Sequence, residues 1–582
     1  MPHYQVTIPD PHTHLFHVTL TVKNSASVQS QLSLPSWIPG SYMVRDFCKN
    51  IVSIRFVNLA EQPINFEKID KQTWLVHNNK QGYKAVYTFY AFDTSVRTAY
   101  LDQFRGFFNG TSSFIKVEEF AESEHQVEII KPTACPDWQL ATGLNRITGD
   151  TFDFGTFKAP NYLELIDYPF EMAAFTTETF YVKNIPHHIV ISGKHDADMA
   201  RIAQDLTPLC QHHLDYFSAP YPIEEYYFLI NIVGDGFGGL EHLNSTALLC
   251  SRDSLPHKTD DKGIFSEKYQ GFLSLCSHEY FHTWNVKRIK PAAFVTPDLA
   301  NETYTKQLWF YEGITSYVDD FSLNATKLIT AEQYLTTLAK ALQRLFNNQG
   351  RFIQSAAESS FDAWTKFYKQ DENATNAIVS YYTKGAFIAL CLDLHIKANT
   401  NNQFCLQTIM QDYWHDFNQG KQGTTDLSII DKVKVITGLN IESLFQDWVE
   451  GTNELPIDKY LSKFGVNLTL APDTEKSVIN TGLSFKKTTD KLIIQTVAAD
   501  SIAQLAGLSA NDEILALNHL KVVSPNDFNS QLKQNINQTI KLHVFRRDEL
   551  FSVNLTLNAE QTNQVKLNIV EPTLATNWLV LP

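Results

Sequence analysis

The chain has 582 residues, 43% of them hydrophobic and 19% charged, a globular balance with apolar material for three or four domains. A net charge of −15 argues against nucleic-acid binding, and no uninterrupted run of roughly 18 apolar residues offers a membrane-spanning helix. Seven scattered cysteines, an odd number, read as free thiols of a reducing compartment, and the first residues lack the basic and apolar regions of a secretory signal, so the cytoplasm is expected.

In chain order the texture predicts a multidomain α+β protein. Residues 1–175 read as an all-β, sandwich-like domain. The stretches 14–22 and 84–92 alternate apolar and polar positions and are rich in β-branched and aromatic residues. Turn residues punctuate this region at Pro39-Gly40, Asn78-Asn79 and Asn109-Gly110. Asn109-Gly110 is first of all a hairpin turn; a reach into a substrate cleft is the alternative. Residues 176–460 predict a thermolysin-like catalytic domain, a small sheet followed by a helical half with a cleft between them. Its strands are 188–192 and 226–233, and helices span 196–216, with an Asp cap, and 330–347. Residues 465–560 resemble a PDZ domain, with the loop Thr481-Gly-Leu-Ser-Phe485, a short helix ending at Ala506-Gly507, and a groove helix over 527–534. Residues 561–582 form a C-terminal extension.

The chemistry concentrates at Ser277-His-Glu-Tyr-Phe-His-Thr-Trp284. His278 and His282 are four residues apart, so on a helix their imidazoles share a face and converge on one metal. Glu279 points to the open side, where it can act on a water activated by zinc. A bland surface helix is the competing reading, but the preceding Tyr269–Cys276 stretch is apolar enough to be buried. A catalytic zinc takes three protein ligands, and Glu312 in Leu308-Trp-Phe-Tyr-Glu-Gly-Ile-Thr-Ser-Tyr317 supplies a third on a following helix. Asp319, two turns later, is either a partner that orients a histidine or a solvated acid. Cys276 is a packing residue and not a ligand.

The run His278 to Pro291, followed by Trp309 to Tyr317, resembles the glycyl aminopeptidase family of gluzincin zinc metallopeptidases. The 29 residues between His282 and Glu312 are similar to the spacing in that family and exceed that of thermolysin-like and aminopeptidase N-like enzymes. Two N-terminal segments, Pro35 to Asp46 and Tyr90 to Tyr100, share the resemblance. It implies a zinc cofactor held by His278, His282 and Glu312, and removal of small N-terminal residues, Gly or Ala.

Gly236-Phe-Gly-Gly-Leu-Glu-His242 resembles the edge-strand motif of aminopeptidase N-like enzymes, with His242 where asparagine is usual. In that reading Gly238 and Gly239 let a substrate backbone approach, with Glu241 and His242 in the substrate-binding set. Glu241 would hold the free α-ammonium through charge-assisted hydrogen bonds, which makes an aminopeptidase, since an internal peptide bond offers no cation. A turn explains Gly238-Gly239 equally well in isolation. Tyr382-Thr-Lys-Gly385 resembles the catalytic tyrosine segment, so Tyr382 is assigned to the oxyanion. Tyr381 competes for that role, and two core tyrosines are the plain alternative. Lys287 and Arg288 read only as charges at a helix C-terminus. The backbone N–H groups of residues 482–485 could capture a C-terminal carboxylate, unless the groove packs on the chain itself. The partners expected are peptides with a free N-terminus and a C-terminal peptide in that groove. Two rivals are an endopeptidase that recruits protein C-termini and a non-enzymatic PDZ adaptor.

Overall fold

The computed structural model describes residues 1–261, 263, 265–472, 479–557 and 563–581. The expected PDZ-like span and C-terminal extension therefore include positions outside the described residues. The chain forms two compact units.

The first unit holds residues 1–304, 318–328 and 410–425. Its N-terminal part is all β. Seven strands lie in the order Asn145–Arg146, Gly155–Ala159, His125–Ile129, Pro2–Thr7, Leu15–Val22, Tyr83–Tyr90 and Ile51–Asn58. The alternation seen in the sequence is the burial pattern: Phe16, Val18, Leu20 and Val22 point inward while the residues between them stay half-exposed. Two four-stranded sheets complete this layer, one containing Ser30–Ser33 and the other Arg105–Asn109. Aromatic side chains from these sheets, among them Tyr4, Trp74, Tyr87 and Phe108, fill one continuous core.

The Asn109-Gly110 pair is not a hairpin turn. Asn109 ends a strand and Gly110 opens a short helix, Gly110–Ser113. The Asn109 amide is fully buried and donates to the carbonyls of Val96 and Thr98, at 2.8 and 3.3 Å. A Cβ on Gly110 would stand 2.7 Å from the Ile166 backbone, so the glycine serves close packing and not a reversal of the chain.

A five-stranded sheet follows in the order Thr176–Val182, Ile185–Ser192, Tyr226–Val233, Ser245–Ser251 and Phe237–Glu241. The three central strands are parallel, and Tyr226–Val233 is buried nearly throughout, as a crossover sheet requires. The crossover helix is Met199–Phe217, capped by Asp198, which accepts the Arg201 N–H at 3.1 Å. Phe237–Glu241 is the edge strand.

The second unit holds residues 305–317, 329–409 and 426–582. Helix Ala331–Asn347 begins with a reciprocal capping box between Thr330 and Gln333. Ala374–Asn399 is apolar and long enough to cross a membrane, but most of it is buried as core. Gly313 and Gly385 pack backbone to backbone, where any Cβ would collide. The PDZ sheet runs Leu483–Phe485, Leu492–Val497, Glu513–Leu517, Thr539–Arg546 and Glu549–Thr556, with helix Pro525–Lys533 and its own core around Ile494, Phe528 and Leu542. Strands Val466–Pro472 and Asn563–Ile569 pair on either side of this module. The last described residues are tied to the same unit: Trp578 and Leu579 are buried, and the Trp578 indole donates to the Tyr317 hydroxyl at 3.2 Å.

Candidate active site

The helix that carries the histidines is Glu267–Phe281, begun by Ser266, whose hydroxyl accepts the Tyr269 N–H at 3.2 Å. Tyr269, Phe272, Leu273, Cys276, Tyr280 and Phe281 bury its inner face. Burial pushes the Cys276 thiol well above its ordinary value, consistent with a packing role. Ser277 is fixed between the His213 ring, at 2.8 Å, and the Asp319 carbonyl, at 3.2 Å. His282 caps the helix, and its N–H still reaches the His278 carbonyl at 3.2 Å, so the two rings keep their one-turn spacing with centroids 4.6 Å apart.

Both histidines are held through Nδ1. His278 Nδ1 meets the Asp319 carboxylate at 2.8 Å, and His282 Nδ1 meets the Asn285 carbonyl at 2.7 Å. Both partners can only accept, so each Nδ1 carries the proton and each lone pair sits on Nε2, the arrangement a metal-binding imidazole needs. Asp319 is thus a buried partner and not a solvated acid. Asn285 is aimed by a tight turn in which Val286, a β-branched residue, adopts φ 110°, a conformation costing on the order of 1–3 kcal/mol that persists only when its surroundings impose it.

The edge strand lies against this helix. Gly239 faces Glu279 so closely that a Cβ would collide with the carboxylate. Glu241, two residues on, shares that face. Ligand-type atoms of Glu241, Glu279 and His282 lie within 4.8 Å of one another, and all three residues are buried. Two carboxylates so close cannot both be charged cheaply without a cation near them. Gly40, at φ 95° in the N-terminal domain, brings its backbone against the Glu241 carboxylate, where any side chain would clash. The donor chemistry of the two imidazoles, His278 and His282, each with its Nδ1 held by an acceptor, fits a zinc ion, with these carboxylates beside it.

His242 points to the other side of the strand. It is 1% exposed, and its Nδ1 lies 4.0 Å from Asp167. Burial holds its imidazole down to about 4, hence neutral. Alternation along the strand turns His242 away from the face that Glu241 and Gly239 present, toward Asp167. Asp167 pairs with Lys287 and accepts the Leu243 N–H at 2.7 Å. Burial would raise its carboxyl, but Lys287 and the Leu243 N–H more than offset that and hold it below the usual range. Arg288 donates to the carbonyls of Leu243, Thr283 and Pro222, at 3.0, 2.7 and 2.8 Å, fastening the turn after the helix to the end of the edge strand. A cavity of about 990 Å³ is bordered by Glu241, Gly40, Trp37, Asp167 and Lys290. Burial and the neighbouring Lys287 lower the Lys290 ammonium to about 8.

Glu312 lies on helix Leu308–Ala325, is buried, and precedes Asp319 by seven residues, two turns along the same face. Tyr381 and Tyr382 open helix Tyr381–Asn399, whose cap Ser380 accepts the Thr383 N–H at 3.2 Å. Their rings stack at 4.7 Å; Tyr381 is fully buried and Tyr382 is half-buried. Lys384 donates to the Gly451 carbonyl at 3.2 Å, and burial brings it down to about 8. In the PDZ module the edge strand is Leu483–Phe485, and Gly482, at φ 76°, abuts Ser501. Sequence patterns had singled out neither Asp167, which carries no motif signal, nor Arg97, which lay inside a segment of the family resemblance without an assigned role, and had read Gly40 only as a turn residue.

Residues 3–174 match the Peptidase M61 N-terminal domain, residues 271–388 the M61 glycyl aminopeptidase family, and residues 480–557 the PDZ domain. No curated protein matches the chain. Among solved structures, an aminopeptidase N family protein of Idiomarina loihiensis is 39% identical, with a TM-score of 0.96 and full coverage of both chains. An M1 zinc metallopeptidase of Deinococcus radiodurans bound to a Tyr-Ser-Ala substrate is 13% identical with a TM-score of 0.48, over 78% of this chain and 94% of that one. Yeast LTA4 hydrolase in complex with bestatin is 14% identical with a TM-score of 0.47, over 78% of this chain and 68% of that one.

Proposed function

Because the chain belongs to the M61 glycyl aminopeptidase family and is therefore a metallopeptidase, we propose that it is a zinc aminopeptidase acting on small N-terminal residues. The observation that carries this reading is the meeting of Glu241, Glu279 and His282 beside an open strand edge. His278, His282 and Glu312 would hold the zinc, which when bound polarises the scissile carbonyl. Glu312 is assigned through its helix, since Asp319 on the same face is hydrogen-bonded to His278. Glu279 takes the proton of the attacking water and returns it to the leaving amine. Glu241 holds the α-ammonium of the substrate, and Gly238 and Gly239 let its backbone approach the edge strand. Tyr382 donates its phenolic proton to the tetrahedral oxyanion; its half-exposed ring suits the task better than the enclosed Tyr381. His242 supports the strand end.

The preference for Gly or Ala rests on family membership. The cavity of about 990 Å³ bordered by Glu241 would admit larger residues, so the test panel includes them. Among the described residues Leu483–Phe485 ends its sheet, which supports a second role, capture of a C-terminal peptide by strand addition in the PDZ groove.

The test is hydrolysis of Gly, Ala, Leu and Arg anilides, each free and N-acetylated, by zinc-loaded protein and its Glu241→Ala variant. Free-amine substrates alone should be cleaved, Gly and Ala fastest. The variant should lose about hundredfold or more in kcat/KM, the loss expected for a buried charge-assisted contact. Equal cleavage of acetylated substrates would make the protein an endopeptidase. No cleavage by zinc-loaded protein would favour the adaptor.

A further inference from the structure

A peptide anchored by its amine at Glu241 has to leave along the open edge of Phe237–Glu241. The ladder shows what it meets. The His242 N–H donates to the Ser245 carbonyl at 2.9 Å, and antiparallel pairs alternate, so the backbone groups of Gly239 and Glu241 face outward. The outward carbonyl of Gly239 is taken by Arg97, whose Nη2 donates to it at 3.2 Å.

Arg97 comes from the N-terminal domain, in the second of the two segments whose family resemblance carried no assigned role. Its Nε donates to the Ser41 hydroxyl at 3.1 Å, and that hydroxyl also takes an N–H from Arg45 at 2.8 Å. Its Nη1 lies beside Gly238, 4.0 Å from where a Cβ would stand. The guanidinium is half-buried, and among the described residues no carboxylate lies within ion-pair distance of it. A fixed, partly desolvated cation of this kind is placed to receive an anion.

We propose that Arg97 binds the C-terminal carboxylate of a short peptide, so that the substrates are dipeptides and tripeptides recognised at both charged ends. The inference rests on the reading of Glu241 as the amine anchor. Gly239 precedes Glu241 by two residues, roughly 7 Å along a strand, and an extended dipeptide or tripeptide spans roughly 7–10 Å. A peptide running antiparallel to the edge strand from Glu241 toward Phe237 therefore reaches Arg97 after one or two residues. A longer chain or an amidated end presents no charge there, and its contact is with a guanidinium already bound to Gly239.

Four peptides separate the possibilities: glycyl-leucine, glycyl-leucyl-glycine and the C-terminal amide of each, assayed with wild type, Arg97→Ala and Arg97→Lys. Wild type should favour each acid over its amide by about tenfold or more in kcat/KM, mostly through KM. That ratio should fall to about one in Arg97→Ala and partly recover in Arg97→Lys, which keeps the charge without the planar fork. A merely structural role for Arg97 would slow acid and amide alike and leave the ratio intact. A wild-type ratio near one, or a ratio that survives Arg97→Ala, would overturn the inference while leaving the aminopeptidase reading in place. Failure of wild type to cleave any of the four, or equal cleavage of their N-acetyl forms, would overturn the amine anchor and this inference with it.

Discussion

The proposed metal site shows how much depends on residues that would not touch the metal. Asp319 and Asn285 each accept an Nδ1–H and so decide which nitrogen carries the lone pair. Asp319→Ala should weaken zinc binding by about 10- to 100-fold, the usual cost of losing such a partner. Competition with a chelator would read it directly, and unchanged affinity would mean that His278 is oriented by packing alone. The motif His278-Glu279-x-x-His282 was plain in the sequence because its spacing is that of one helical turn. Asp319 was only one of two readings there, since a carboxylate two turns beyond Glu312 has no local signature until its helix is packed.

At the scale of elements, the decisive contact is the edge strand against the Glu267–Phe281 helix. Gly239 has a glycine's spacing from Glu279, and Gly→Ala there should push the carboxylate aside. Displacement of a catalytic group by about an ångström costs on the order of hundredfold, so Gly239→Ala should lower kcat by about that much with zinc content unchanged. Gly238→Ala is the contrasting case: at φ 157° a side chain strains the backbone there, but among the described residues beyond its chain neighbours only Arg97 lies within 4.0 Å of a Cβ, so Glu279 should keep its place. Comparable losses in the two variants would mean that both glycines serve the backbone and not the approach to Glu279. The same strand separates the Glu241 and His242 side chains, since neighbours on a strand face opposite sides. Sequence resemblance grouped them, and the pleat parts them.

For the whole molecule, burial of uncharged histidines sets an acid limit. His125, His187, His188 and His242 are each held down to about 4 by desolvation, whereas an unfolded chain protonates its histidines near 6.5. The unfolded state therefore binds more protons below about pH 6.5, and stability is fully present above that value and declines as pH falls toward about 4. The melting temperature should drop steadily from pH 7 to 5, a window above the ordinary range of the carboxylates. Calorimetry across it would check this, and a flat profile would show that other groups cancel the histidines.

The sequence by itself determined the secondary structure of the strongly periodic segments and the zinc motif, because both depend on spacing along the chain. Strand Tyr226–Val233 and helix Ala331–Asn347 follow from local pattern, and the PDZ elements from resemblance. The tertiary structure decided what depends on residues far apart in the chain: Gly40 against Glu241, Arg97 on the Gly239 carbonyl, Asp167 between Lys287 and His242, and the burial of Asn109. None of these has a period or a motif. The first three exist because a β-domain and a crossover sheet pack within one unit, and the burial of Asn109 because the β-domain closes on itself.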